Sequence, residues 1–299
     1  MPRQEYTFTV RETDLRLDKF VSSQLPDFSR AQAQKLITAG LVTINGQPGK
    51  ASAKLSRDDV VHVTLPPPLV GDLLPLEIPV TVLYEDDDVL VVDKPAGLTV
   101  HPAPGYSGPT LVNAIVAHLS KFDVATPRPG IVHRLDKNTS GVMVVARHPA
   151  ALAKVAEQFK KHTVKKVYIA LVQGKLSPET GVIEAPIGRD SGDRTKMAVS
   201  SESRGRHART IYRVIQYLPK QTLLEAMPET GRTHQIRVHL AAIGHPVYGD
   251  AVYGQKSPIL PRQFLHAHQL GFYLPSSGEW REFQSPLPAD LAQTMKQLA

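Results

Sequence analysis

The chain has 299 residues, 41% of them hydrophobic, with no cysteine and a formal net charge of +7. That length suits one large domain with a small companion; the absence of cysteine excludes disulfides, thiolate nucleophiles and zinc–cysteine sites, and no run of eighteen apolar residues predicts a membrane span. The basic excess favours a polyanionic partner and falls on one part of the chain: residues 1–75 carry 9 Lys+Arg against 8 Asp+Glu, residues 76–299 carry 26 against 20.

In chain order, "MPRQEYTFTV" lacks the apolar stretch of a signal peptide, so a cytoplasmic location is expected. "TDLRLDKFVSSQL" spaces Leu17, Phe20, Val21 and Leu25 as one helical face. "SRAQAQKLITAG" places Ser29 three residues before Gln32, a capping-box spacing, and stops at Gly40. "LVTING" predicts a strand entering an Asn45-Gly46 turn, and "DDVVHVTL" another strand. These elements form a small module over residues 1–75. Residues 65–79, "LPPPLVGDLLPLEIP", hold five prolines and a glycine and predict a semi-extended linker.

The second part, 80–299, opens with "VTVLYEDDDVLVVDKP", two strands around an acidic turn. "PTLVNAIVAHLSKF" predicts a helix, "SGVMVVAR" a buried strand, "PAALAKVAEQFKKH" a helix with a basic end and "TVKKVYIALVQG" a strand. "ARTIYRVIQYL" and "QTLLEAMPET" predict an antiparallel pair. "RTHQIRVHLAAIG" predicts a helix with Ile236, Leu240 and Ile243 inward, Gly244 as its stop, and His234, Arg237 and Ala241 on another face. Strands mixed with occasional helices, without a βαβ rhythm, predict an α+β fold whose sheet is mixed and largely antiparallel.

Several short patterns bear on chemistry. In "HRLDKNTSG", Arg134 and Asp136 point to one side if extended, ahead of a polar turn; alone, this reads more simply as a turn aspartate beside a surface cation. Lys166 and Tyr168 share one strand face, which alone reads more simply as an ordinary half-buried tyrosine, with a ring that stacks on a base as the alternative. His234 and His239 are five apart, wrong for a helical metal pair, and His266 with His268 read more simply as structural histidines. No GxxxxGK[ST], GxGxxG or GxSxG is present.

Taken together, "YEDDDVLVVDKPAGLTVHPAPG", "RPGIVHRLDKNTSGVMVVAR", "KKVYIALVQG", "PIGRD", "KMAV", "ETGRTHQIRVHLAAIGHPVYGD" and "LHAHQLGF" resemble the RluA family of RNA pseudouridine synthases, in the subgroup that modifies large-subunit ribosomal RNA. "RLDKFV", "SRAQAQKLITAGLVTINGQ" and "DDVVHV" resemble the S-four RNA-binding domain. The resemblance covers nearly the whole chain, with Asp93 standing where the family commonly has Asn. It implies isomerisation of uridine to pseudouridine in structured RNA, without metal or organic cofactor, by a monomer. It implies Asp136 as the catalytic aspartate, Arg134 as the residue that fills the place of the displaced base, Tyr168 as the ring against the uracil and a participant in proton removal at carbon 5, and Arg232 as the arginine paired with the aspartate. RNA contacts are expected at Arg16, Ser29, Arg30, Lys35, Asn45 and Lys166. The competing readings are a non-catalytic RNA-binding or assembly factor with a relict site and, more distantly, a methyltransferase, for which the chain lacks a glycine-rich cofactor loop.

Overall fold

A computed structural model describes residues 4–11, 13–25, 30–65, 75–101, 108–119, 129–193 and 196–299. The chain divides into two compact units, Met1–Gly71 and Asp72–Ala299. Most of the proline-rich segment expected as a linker, 66–74, lies outside the described residues, as does Ser29.

The first unit runs β1 (Gln4–Thr9), α1 (Leu17–Gln24), α2 (Arg30–Thr38), β2 (Val42–Ile44), β3 (Gln47–Pro48) and β4 (Val60–Leu65). Its antiparallel sheet has the order β1-β4-β2-β3. The helical face read from the spacing is the buried one: Leu17, Phe20, Val21 and Leu25 pack with Ala33, Leu36, Ile37, Val42, Val61 and Val63. Gly40, at φ +73, ends α2, and Asn45 and Gly46, both at positive φ, close the β2–β3 hairpin.

The second unit runs β5 (Thr81–Glu85), β6 (Val89–Lys94), α3 (Leu111–Ile115), β7 (Ser140–Ala146), α4 (Pro149–Lys160), β8 (Lys165–Gln173) and β9 (Thr180–Glu184). A short ribbon of β10 (Ile187–Arg189) and β11 (Met197–Val199) follows, then β12 (Arg209–Tyr217), β13 (Gln221–Pro228), α5 (Gln235–Ala242), β14 (Leu265–Tyr273), β15 (Trp280–Gln284) and α6 (Ala289–Leu298). Nine strands form one sheet in the order β5-β6-β7-β14-β8-β13-β12-β9, with β15 on β14. The β7–β14 pairing is parallel and the others are antiparallel. This is the mixed, largely antiparallel sheet expected. Every residue of β7 is buried, so it reads as an unbroken apolar run rather than an alternation.

Two expectations shift. The helix read from "PTLVNAIVAHLSKF" is, over its described residues, one turn of α3, opened by a Thr110–Asn113 capping box and continued as a 3-10 turn, Val116–His118; residues 120–122 of the stretch lie outside the described residues. Ile243 is 38% exposed rather than inward, because α5 stops at Ala242 and Gly244 turns the chain away at φ +84. The helix is short and nearly enclosed, with Gln235, Arg237 and His239 buried beside Ile236, Val238 and Leu240. Each of those polar side chains has a bonded partner, as burial demands.

Candidate active site

The loop 131–139 enters β7 and is pinned at both ends. Gly130 is at φ +70, and a Cβ there would lie 2.1 Å from the Ala146 carbonyl oxygen. Gly141 is at φ +120, and a Cβ there would lie 2.2 Å from the Ala267 carbonyl oxygen, where β7 meets β14. No other residue type fits either place. Between them, Leu135 is buried among Leu98, Val100 and Met143. Its neighbours Arg134 and Asp136 line a cavity of about 570 Å³.

The backbone around Asp136 is tied from several directions. Thr139 N–H donates to the Asp136 carbonyl at 3.0 Å, Gly97 N–H to the Lys137 carbonyl at 2.9 Å, and Arg262 Nη1 to the Asn138 carbonyl at 3.1 Å. Lys94 is fully buried and donates to the carbonyls of Pro95, Leu98 and Lys137 at 2.8, 2.9 and 3.2 Å. Burial pulls its ammonium down to about 7, against the attraction of the Asp136 charge. Three carbonyl acceptors match the three N–H groups of the cationic form, which the site is therefore shaped to hold. His133 accepts from the Val144 N–H through Nε2 at 3.1 Å and stacks on Phe159. Burial, then the Lys166 charge, push it down to about 3, so it is a neutral strut rather than a second base.

Arg237 meets the Asp136 carboxylate: its Nη1 donates to Oδ2 at 3.0 Å. The same guanidinium forks onto Asp250, Nε to Oδ2 at 2.6 Å and Nη2 to Oδ1 at 2.9 Å. Burial works against the Arg237 charge, but the bonds and charge of Asp250 and then Asp136 more than offset it, so the group sits above its ordinary value. For Asp250, burial likewise opposes ionisation and Arg237 outweighs it, leaving the carboxyl below its usual range. On the far side, His234 Nε2 stands 3.9 Å from Asp136 Oδ1.

Arg232 is thus not the partner of Asp136. Its Nε donates to the His207 carbonyl at 2.9 Å and its backbone N–H to Gln235 Oε1. The reason is local geometry. His234, just ahead of α5, is left-handed at φ +57, and the turn separates Arg232 on the cavity rim from Arg237 in the interior. Buried Gln235 knots this turn through Thr230, Arg209 and Thr210.

Tyr168 and Lys166 line the cavity together, while Val167 between them is buried. Tyr168 faces Ala267 across β8–β14, one strand from the Gly141 crossing, so the central sheet places the ring beside the Asp136 loop. Burial, then the Asp136 charge, raise its phenol above the ordinary value. That direction opposes a free phenolate at neutral pH. Lys166 donates to the carbonyls of Glu229 and Thr230, and burial lowers it to about 8 with Glu229 opposing. Arg134 reaches across the cavity, its Nη2 donating to Thr233 Oγ1 at 2.6 Å.

Residues 88–242 match the family model described as RNA pseudouridylate synthase, and residues 15–61 match the S4 domain. An RNA pseudouridine synthase of Chloroflexus aurantiacus is 48% identical over 290 residues, 96% of this chain and 91% of its own. The chain belongs to the RluA family of RNA pseudouridine synthases. A ribosomal large subunit pseudouridine synthase D of Nitrosomonas europaea is 43% identical to the synthase, over 98% of this chain and 87% of its own. Among solved structures, Human RNA Pseudouridylate Synthase Domain Containing 4 aligns with TM-score 0.58 and 27% identity, covering 73% of this chain and 92% of that one. The synthase is accordingly an isomerase that converts uridine to pseudouridine; nothing in these relationships supports the non-catalytic alternative.

The expected RNA contacts fare unevenly. In the S4 unit, Arg16 and Arg30 both bond to Asp18, a carboxylate with no exposed surface that also accepts from Gln34 at 2.6 Å. The Arg16 bonds come first in drawing Asp18 far below the usual carboxylate range against burial. About half of each side chain remains exposed, so both are structural anchors at the surface. Asn45 is spent on its own turn: Nδ2 donates to Asp59 and Oδ1 accepts the Val60 N–H. A residue so engaged offers little to RNA. Ser29 and the Lys35 side chain lie outside the described residues. His266 and His268 are structural, bonded to Ser140 and to the Ser285 carbonyl. Among the described residues no cluster of three or more His, Asp or Glu is arranged to hold a metal ion, and no helix is long and apolar enough to cross a membrane.

Arg237 and Asp250 are the site residues that sequence reasoning missed. Arg237 was visible as the arginine of α5, five residues beyond Arg232 in the same motif. Asp250 stood in "GHPVYGD", whose only signal was a carboxylate in a turn.

Proposed function

We propose that the chain isomerises uridines in structured large-subunit ribosomal RNA, with the Asp136 carboxylate as the nucleophile that carries the ribose–base exchange. The observation that carries the reading is the Asp136–Arg237–Asp250 chain of charge-assisted bonds at the floor of a cavity large enough for a nucleotide. The reaction breaks the bond from ribose carbon 1′ to N1 and makes one from carbon 1′ to carbon 5. One proton leaves carbon 5 and one is gained at N1. A carboxylate held through one oxygen and open at the other suits covalent catalysis at such a centre. Tyr168 supplies a ring for the extruded base and, keeping its proton at neutral pH, a hydroxyl donor. Arg134, tethered by Thr233 at the cavity, fills the gap left by a flipped nucleotide, which costs about a few kcal/mol to extrude.

The rim supports RNA as the substrate class. Arg134, Arg206 and Arg232 line the cavity without a carboxylate partner among the described residues. Burial and then the Arg206 charge lower Arg232, a sign of two cations crowded together. Three uncompensated guanidiniums around a cavity suit phosphodiesters. The large-subunit relative supplies the choice of ribosomal RNA. With that substrate the place of action is the cytoplasm.

The test is to map pseudouridines in ribosomal RNA from a strain lacking the gene, complemented with wild type or Asp136→Asn. Specific large-subunit pseudouridines should vanish and return with the wild type alone. An unchanged pseudouridine map in the deletion strain would remove ribosomal RNA as the substrate.

A further inference from the structure

The carboxylate of Asp136 is held asymmetrically. Oδ2 accepts from Arg237, whereas Oδ1 has no hydrogen-bond donor within range among the described residues. What faces Oδ1 is His234, with Nε2 at 3.9 Å. The imidazole is fixed from behind. Its Nδ1 lies 2.7 Å from the Tyr253 hydroxyl oxygen, and that oxygen receives the Met197 N–H at 2.9 Å.

These contacts favour one tautomer. A backbone N–H can only donate, so Met197 takes one lone pair of the Tyr253 oxygen. If Nδ1 also donated, the hydroxyl proton would have no acceptor among the described residues. If the hydroxyl donates to Nδ1, every donor is used and the imidazole proton must sit on Nε2. Burial lowers His234 from its ordinary value against the Asp136 charge, with Arg237 and Arg134 also lowering it and Asp250 opposing, so the surroundings favour the neutral ring. Nε2–H is then a donor turned toward Asp136.

The same turn supports both guardians of the carboxylate. Asp250 accepts the Val252 and Tyr253 N–H groups at 2.9 and 3.2 Å while clamping Arg237, and the Tyr253 ring lies 5.0 Å beneath the Arg237 guanidinium. His234 keeps a left-handed backbone to reach its place, a strained conformation that persists only where the surroundings over-determine it.

We propose that His234 is a positioning residue for the free oxygen of Asp136, with Tyr253 fixing its Nε2–H tautomer. A donor at this distance attracts the carboxylate without consuming a lone pair of Oδ1, which stays open to the nucleotide and aimed at it. The inference rests on Asp136 being the reacting group.

The test combines imidazole ¹⁵N NMR of the full-length protein with steady-state kinetics on RNA. In the wild type at pH 7, His234 should be neutral with its proton on Nε2, and Tyr253→Phe should mix the tautomers. Tyr253→Phe and His234→Phe should lower kcat by about tenfold or more with KM unchanged, and His234→Gln, whose amide N–H reaches the Nε2 position, should recover most of the loss. A wild-type Nδ1–H tautomer or imidazolium, a kcat within twofold of wild type for both Phe variants, or a loss confined to KM would overturn the proposal. The NMR result stands even if a variant fails to fold. Should Asp136→Asn retain turnover, it is the proposed function that fails, and the tautomer measurement separates the two cases.

Discussion

Arg237 serves two carboxylates with one buried guanidinium, and the consequences of removing it follow from that. Arg237→Met would leave Asp250 buried without a counter-charge, costing about 3–5 kcal/mol at pH 7. The sign of the pH dependence is fixed by Asp250. Its carboxyl is lowered in the folded protein, so its stabilising contribution is present above the unfolded carboxylate range near 4 and is lost as pH falls through the lowered folded value. Urea melts should therefore show the stability gap between wild type and Arg237→Met widest at neutral pH and narrowing below about pH 4. An equal gap at pH 7 and in acid would contradict the ion-pair account. Tyr168 gives a second residue-scale expectation. Because its phenol is pushed up, Tyr168→Phe should retain RNA binding and lose about tenfold or more in single-turnover rate, while Tyr168→Ala should also weaken binding as the ring is lost; identical defects in both would show the hydroxyl to be idle.

At the scale of elements, the sharpest constraint is the crossing of β7 and β14. Gly141→Ala would push a methyl group against the Ala267 carbonyl, so the strands must part and the Asp136 loop move with them. A loss of both thermal stability and turnover is expected; a variant with wild-type Tm and kcat would show the crossing to be looser than described. Much of this arrangement was legible in the sequence. "HRLDKNTSG" ahead of an apolar run marks a loop diving into a buried strand, and the spacing of Lys166 and Tyr168 puts both on one face. What the sequence could not decide was which arginine of "GRTHQIR" meets Asp136. The answer depends on the left-handed turn at His234 and on Asp250, thirteen residues after Arg237, and neither is a local signal. Arg16 and Arg30 show the converse: cations that read as RNA contacts are first of all the partners of buried Asp18. Asp18→Asn should destabilise the S4 unit by about 2 kcal/mol, seen as a lowered first transition on thermal unfolding.

For the molecule as a whole, charge is distributed by task. The S4 unit is nearly neutral, and the excess of cations lies in the catalytic part, with Arg134, Arg206 and Arg232 unbalanced at the cavity rim. RNA affinity should accordingly fall steeply with salt, and Arg206→Gln should flatten the slope of log K against log salt by about one. A slope unchanged by that substitution would place the phosphates elsewhere. Removal of residues 1–75 should weaken or misdirect RNA binding while leaving the site intact. The central claim, that the Asp136 carboxylate carries the reaction, is tested most directly by tritium release from RNA labelled at carbon 5 of uridine, with purified wild type and Asp136→Asn side by side. Release by the wild type, with none from a folded, RNA-binding Asp136→Asn protein, is the predicted result; release from the variant at a rate near wild type would contradict it.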